Sequence, residues 1–442
     1  MLSTFFYYHL ALLDYLFFKQ NTNNPFHASV FTFFGHQTFR FPKQSMRDPL
    51  MLFRMYKIIL SNLFSPFYDN GHFLIGDAAI FDSSSNTCNI RKNYVTQLTN
   101  TNTNGFIGRD KLLKRATILQ SICIVMYLML AFPYLFLTFL CVKNKLHIPI
   151  WLLNLFEALL LISILTKYKT RTLYFFDCYQ NDANLLAFCL MKNKIYVNKI
   201  PSEVPLKFWN KIMVADELKF CFRYQEDEFK AFQETQFVKA YAHWLPEMSF
   251  NLLERGFKIS STPKNTIGFY SSGMWLRAKL GRIDFNDDAH KNENYLLNNL
   301  AEFTRSHTGI KLILFLHPIE KVDLQQTIAH YNALSIHYEL AETGIANDMQ
   351  FHKADVAVML YSTISYERIF WGYKTLIYPI GHNDFFAVES NFTNVLLRSE
   401  ESLVQRLKHA LEQTSEDFLI ANHISNYTYT NYLNFFKKYD LR

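Results

Sequence analysis

The chain has 442 residues, 50% of them hydrophobic and 19% charged, with 43 Phe and 26 Tyr, which excludes a disordered polymer and leaves room for more than one core. At about 100–200 residues per domain, two or three domains are expected. The 45 Lys and Arg against 38 Asp and Glu leave a net charge of +7; no basic run is long enough for a nucleic-acid groove, so the surplus suits an anionic small substrate or an anionic membrane face.

Residues 1–116 are aromatic and rich in Asn and Thr. The opening MLSTFFYYHLALLDYLFFKQ has no basic leader, is interrupted by Asp14 and has no small-residue cleavage site, so a short surface helix is expected rather than a signal peptide. TQLTNTNTNG, at 96–105, reads as a loop. No catalytic motif stands out here, and the region is expected to complete an acceptor domain. The six cysteines, Cys88, Cys123, Cys141, Cys178, Cys189 and Cys221, have no CxxC or metal-ligand spacing, so a reducing compartment is expected.

Residues 117–168 are the apolar zone. Positions 117–142 carry no charge and exceed the ~20 residues that span a bilayer. Positions 146–166 repeat the pattern around a single Glu157. Arg109, Lys111, Lys114 and Arg115 precede the zone, Lys143 and Lys145 divide it, and Lys167, Lys169 and Arg171 follow it. The more basic outer flanks favour a membrane-associated hairpin with both ends cytoplasmic. A shallow interfacial hairpin and two helices buried in a soluble core stay open.

From residue 169 the texture is α/β. In 169–262, TLYFF (172–176) is a strand with Asp177 at its end, 181–193 a helix, 194–200 a strand, and 214–245 mostly helix; SSTPKN (260–265) is a linker. In 263–442, strands are expected at 265–270, 311–318, 335–340, 354–363 and 374–381. Helices are expected at 293–307, after Thr363 and at 400–413. Strand alternating with helix predicts a mostly parallel sheet covered on both faces.

Ligands of such sheets bind beyond the C-terminal strand ends, and four ends here are polar: SSGMWLR, HPIE, YSTISYE and YPIGHNDFF. Ser271, Ser272 and Gly273 could bond phosphate oxygens through hydroxyls and N–H groups, with Arg277 neutralising them. His317, before the strand-stopping Pro318, could donate to a phosphate or a leaving-group oxygen, with Glu320 orienting it. Ser362 and Thr363 head a helix whose free N–H groups can hold an anion, and Glu367 suits the paired hydroxyls of a ribose. Ordinary turns and caps are the alternative for each. Asp177 is the candidate general base, with Asp182 behind it and Glu203, Asp216 and Glu217 weaker. Asp284, Asp287 and Asp288 form an acidic loop that reads as solvated. HExxH, GxSxG and P-loop patterns are absent, and neither a metal nor an organic cofactor is expected.

The order of these motifs over about residues 265–415 resembles the nucleotide-binding domain of GT-B glycosyltransferases. It is most similar to bacterial sialyltransferase and capsule-type enzymes with an HP motif and a downstream Ser/Thr motif, here His317-Pro318 and YSTIS at 361–365. The resemblance implies two Rossmann-like α/β domains with an added apolar helical hairpin. It also implies contact of His317, Ser362 and Thr363 with the donor phosphate, and of Glu367 with the ribose. The acidic-acidic-Gly motif of those sialyltransferases has no copy in 169–260. Teichoic-acid-type polyol-phosphate transferases, with CDP-linked donors, share the HP-and-Ser arrangement. The implied activity is sugar transfer from a nucleotide-sugar donor, CMP-linked donors included, to a glycan or lipid-linked acceptor. It belongs to surface polysaccharide or lipooligosaccharide synthesis at the cytoplasmic face of the inner or plasma membrane, with no nucleic acid polymer as partner. The alternatives are CDP-polyol phosphotransfer and a non-catalytic membrane-anchored scaffold with a degenerate nucleotide fold.

Overall fold

The computed structural model describes residues 2–17, 24–30, 77–99, 105–109, 147–176, 182–201, 212–220, 236–281, 288–360, 362–378, 393–397 and 400–431, with a few single positions between them. The chain divides into two compact units, Met1–Cys221 with Gln225–Trp244, and Phe222–Tyr224 with Leu245–Arg442. The division falls at Trp244, ahead of the linker expected at 260–265. Residues 245–262, grouped with the acceptor side in the sequence, therefore belong to the second unit.

The first unit is built on a six-stranded, wholly parallel sheet of order β2-β1-β3-β4-β5-β6. The strands are β1 (Ala78–Asp82), β2 (Gly105–Gly108), β3 (Thr172–Phe175), β4 (Tyr196–Lys199), β5 (Met213–Phe220) and β6 (Gln236–His243). Residues 1–116 thus supply β1 and β2. Helices α1 (Leu2–Phe17), α2 (Cys88–Thr99), α3 (His147–Lys167) and α4 (Ala183–Lys192) accompany them. α3 is apolar around its whole circumference, which is the pattern of a helix enclosed on all sides. Its residues from Trp151 to Leu165 are largely buried in one core with Tyr8 and Ala11 of α1 and Leu185, Leu186 and Leu190 of α4. Trp151 Nε1 donates to Tyr8 O at 3.0 Å. Of the three settings open to 146–166, it adopts the protein core. Among the described residues no helix is long and apolar enough to cross a membrane. Most of 117–142 lies outside them.

Residues 214–245, expected to be mostly helix, contain β5 and β6 instead. The sheet pairs Asp216, Glu217 and Lys219 within and between its strands. Asp216 accepts the β4 backbone N–H of Val197 at 2.9 Å and Lys239 Nζ at 2.6 Å, and Lys219 bonds Glu217 at 2.7 Å. Charged residues inside a strand erase the alternation that would mark it.

The second unit holds a five-stranded parallel sheet of order β11-β10-β7-β8-β9. Its strands are β7 (Thr266–Tyr270), β8 (Lys311–Phe315), β9 (Glu339–Leu340), β10 (Val356–Leu360) and β11 (Lys374–Tyr378). The strand expected at 335–340 shortens to β9; the other four form where expected. The flanking helices are α5 (Glu247–Glu254), α6 (Met274–Lys279), α7 (Asp288–Ser306), α8 (Leu324–Ala333), α9 (Thr363–Phe370), α10 (Glu400–Glu412) and α11 (Ser415–Ala421). β7 and β10 are buried along their whole length, which is why they read as continuous apolar runs. Arg368, buried on α9, ties the sheet margin together by donating to Tyr270 Oη at 2.9 Å and Phe351 O at 2.8 Å.

Each sheet reverses its direction of growth once. After β1 and β2 the chain returns to lay β3 on the other side of β1. After β7, β8 and β9 it returns to lay β10 on the other side of β7. The crevice between two such strands, at their C-terminal ends, is where open α/β sheets take ligands.

Candidate functional site

In the second unit the reversal places the loops after β7 and β10 side by side, with the loop after β8 next to that of β7. The first loop is Ser271-Ser272-Gly273, and Gly273, at φ +63°, turns it into α6. The N–H groups expected to face a phosphate are donated inside the protein. Ser272 N–H reaches Glu293 Oε1 at 2.5 Å, Met274 N–H reaches Glu293 Oε2 at 2.8 Å, and Gly273 N–H reaches Ser271 Oγ at 2.9 Å. Gly273 serves the packing of two loops. A Cβ there would lie 2.9 Å from Ile319 Cγ2 and 3.4 Å from His317 Cβ, so glycine lets the β7 loop press against the β8 loop.

In that second loop Glu320 is fully buried. Its Oε2 accepts His317 N–H at 2.7 Å, and its Oε1 accepts Trp275 Nε1–H at 2.6 Å and the Tyr331 hydroxyl at 2.8 Å. Glu320 therefore fixes the backbone of His317 and not the ring. The ring's Nδ1 lies 3.2 Å from the backbone N of Ile319. Burial, reinforced by Arg277, lowers the His317 pKa to about 4. Nε2 lies 3.3 Å from Arg277 Nη2. A neutral ring accepts on one nitrogen only, so its tautomer decides whether Nδ1 takes Ile319 N–H or Nε2 takes the guanidinium N–H. Nearby, Arg277 Nε and Ser272 Oγ are buried without a protein partner among the described residues.

The third loop leads into α9 through Ser362. The alternative of a capping box is not formed, since Ser362 makes no side-chain cap bond. Ser365 instead returns its N–H and hydroxyl to Ser362 O. Ser362 and Thr363 are partly exposed, at the positive end of the helix. Tyr361 and the strand end YPIGHNDFF beyond Tyr378 lie outside the described residues.

Glu367 is 1% exposed, and neither carboxylate oxygen has a protein partner among the described residues. Burial, with Asp348 adding to it and Arg255 opposing it, pushes its pKa up to about 8. This carboxylate faces the protein interior rather than an open ribose pocket.

The acidic candidates of the first unit separate in the same way. Asp177 and Glu203 lie outside the described residues, as do Asp284, Asp287 and the side chain of Asp288. Asp182 is buried and pairs with Arg109 at 3.0 Å, and Arg109 also holds Glu157 at 3.1 Å. Asp216 and Glu217 are the sheet pairs described above. Among the described residues no group of His, Cys, Asp and Glu could hold a metal ion. A cleft of about 510 Å³ opens at the opposite end of the second sheet, around Arg305, Lys311, His337 and Glu339, away from the convergent loops.

Glu293 and Tyr331 did not stand out in the sequence. One signal was available for Glu293: it lies three, four and seven residues before Leu296, Leu297 and Leu300, which places it on the apolar stripe of α7.

The chain is an α/β protein of two successive Rossmann-like units, each with a parallel sheet and its own reversal point. No protein-family model matches the sequence, and the search of curated proteins returns no match. Among solved structures it is similar to the UDP-GlcNAc 2-epimerase of Neisseria meningitidis bound to UDP-GlcNAc, with 11% identity over 82% of this chain and 99% of that one, at a TM-score of 0.42. It is similar also to MurG of Acinetobacter baumannii, with 10% identity over 82% and 99%, at 0.43. A third is the wall teichoic acid polymerase TagF, with 9% identity over 88% and 97%, at 0.40. Likenesses at this level assign no activity.

Proposed function

We propose that the chain is a GT-B-type glycosyltransferase that uses a nucleotide-sugar donor. One observation carries the reading: Arg277 Nη2 and His317 Nε2 lie 3.3 Å apart at the end of β8, and in the proposed complex the ring carries its proton on Nε2 so that both present N–H groups. An oxyanion between them satisfies both. The donor phosphates rest on this pair and on the N-terminus of α9 beside Ser362 and Thr363. As the sugar–phosphate bond breaks, negative charge collects on the departing phosphate, and fixed donors aimed at it stabilise that charge. His317, held neutral beside Arg277, acts as a hydrogen-bond donor and not as a proton source. Asp177, which follows β3 in the sequence, is the proposed base for the acceptor hydroxyl.

The proposed acceptor is a glycan or lipid-linked glycan at the cytoplasmic face of a membrane. Support comes from Ile122, Met126, Met129 and Leu130, helical residues spaced on one face and exposed, Leu130 to 77%. The basic residues flanking that stretch in the sequence suit an anionic bilayer surface.

Calorimetry with CMP, CDP, UDP and GDP tests the donor site. Selective binding of one nucleotide, weakened about tenfold or more by Arg277→Ala and by His317→Ala, is expected. A folded protein that binds none of the four overturns the reading. Flotation with phosphatidylglycerol vesicles tests the membrane reading, with loss of binding expected for Met129→Asp combined with Leu130→Asp.

A further inference from the structure

We propose that Glu293 is a positioning residue of the donor site, whose carboxylate fastens the β7 loop so that Arg277 meets His317. The inference rests on the donor-site reading above and adds to it a residue from a helix that contributes nothing to the four strand-end motifs.

Arg277 stands on α6, which the β7 loop leads into, and His317 stands in the β8 loop, so their convergence needs those two loops held in one relation. Two buried carboxylates do this from below. Glu293, 3% exposed, accepts the N–H groups of Ser272 and Met274 on its two oxygens, with Ser271 Oγ 3.4 Å from the first. Glu320 gathers His317 N–H, Trp275 Nε1–H and the Tyr331 hydroxyl. The two centres are joined through Ser271 and Tyr331, whose hydroxyl oxygens lie 3.0 Å apart. The protons fit one direction. Tyr331 gives its single proton to Glu320, while Ser271 accepts Gly273 N–H and turns its own proton to Tyr331 or Glu293. Gly273 closes the loops against each other at Ile319.

A carboxylate suits this position and an amide does not. Two N–H donors aim at two different oxygens, and Gln would set an N–H against one of them. Keeping an anion there is unfavourable. Burial and the neighbouring Glu320 raise the Glu293 pKa to about 7, although the three donors pull it down. By occupying those N–H groups Glu293 also keeps a donor phosphate from settling on the β7 loop, which leaves Arg277 and His317 as the groups that receive it.

The test compares two probes on the full chain, the best-bound nucleoside diphosphate and the same nucleoside without phosphates, in wild type, Glu293→Gln and Glu293→Asp. The expected result is about a tenfold loss of diphosphate affinity in Glu293→Gln, with nucleoside affinity unchanged. Glu293→Asp, which keeps two acceptors, recovers part of the loss. Unchanged diphosphate affinity in Glu293→Gln overturns the inference, and so does an equal loss for both probes, which marks general damage. Should Glu293→Gln not fold, Tyr331→Phe, which cuts the link to Glu320 and keeps the ring, must show the same phosphate-selective loss, and its absence overturns the inference. A wild type that binds neither probe removes the donor-site reading itself, so the two failures are distinct.

Discussion

The strand ends of the two units handle charge in opposite ways. In the first unit, charge meets an opposite charge or an amide. Asp82, ending β1, takes Arg91 Nε at 3.1 Å and Thr87 Oγ1 at 2.5 Å. Arg109, following β2, spans Glu157 and Asp182, and Lys199, ending β4, donates to Asn184 Oδ1 at 2.5 Å. In the second unit the carboxylates Glu293 and Glu320 are satisfied by N–H groups and hydroxyls, while Arg277 has no carboxylate partner among the described residues. The same edge of the same kind of sheet is closed electrostatically in one case and left donor-rich in the other. Neutralised charge builds a wall; under the proposed function, the surplus donors are what an anion would meet.

Four substitutions break or sharpen that contrast. The largest effect is expected from Arg109→Ala. It removes the guanidinium shared by the buried Asp182 and the partly exposed Glu157 and costs about 3–5 kcal/mol in urea unfolding, while nucleotide affinity measured on the remaining folded protein stays at the wild-type value. Loss of binding alongside full stability would mean that the first unit's ion pairs are part of the donor site.

Next comes Glu367→Gln. A carboxylate whose pKa rises from 4.5 to about 8 on folding holds its proton more tightly in the native state. Its contribution to stability is therefore full below pH 4.5 and is lost as pH rises through 8, at up to about 1.4 kcal/mol per pH unit between those values. Wild-type unfolding free energy should fall across that window, and the Gln variant should fall less. Parallel curves would place the ionisation elsewhere.

Arg277→Ala follows. It should weaken nucleotide binding by about 1.5–3 kcal/mol, as for a hydrogen bond to a charged group, and shift thermal stability little because no ion pair is broken. The smallest effect belongs to His317→Gln. Its amide can present an N–H where Nε2–H stood, so calorimetry should register a loss smaller than that of His317→Ala.

What could be read from the sequence follows from how each segment is buried. β7, β8, β10 and β11 are enclosed runs bounded by turn residues, so they and the polar residues at their ends were visible. His317 stood out because Pro318 stops its strand. β5 and β6 were hidden because Asp216 and Lys219 satisfy their charges within the sheet, which no linear pattern reveals. α3 was ambiguous for a different reason. A bilayer and a protein core select the same all-round apolar helix, and only the Glu157–Arg109 pair, 48 residues apart in sequence, distinguishes them. Glu293 was missed because a single carboxylate on an apolar stripe gains its meaning from the two N–H groups it meets.

The placement of β1 beside β3 also governs how the chain is made. Ala78 pairs with Thr172, a separation of 172 − 78 = 94 residues, and across the reversal of the second sheet Ile267 pairs with Val356, 356 − 267 = 89. At about 5–20 residues per second, β1 leaves the ribosome some 5–20 s before its inner neighbour. Throughout that interval the centre of the first sheet has an open edge, and the apolar helix α3 emerges late in the same wait. Long-range parallel pairing is slow to form in any case. Both units therefore wait on a long closure at their reversal points, and the newborn chain depends on shielding in each until its inner strand pair has formed.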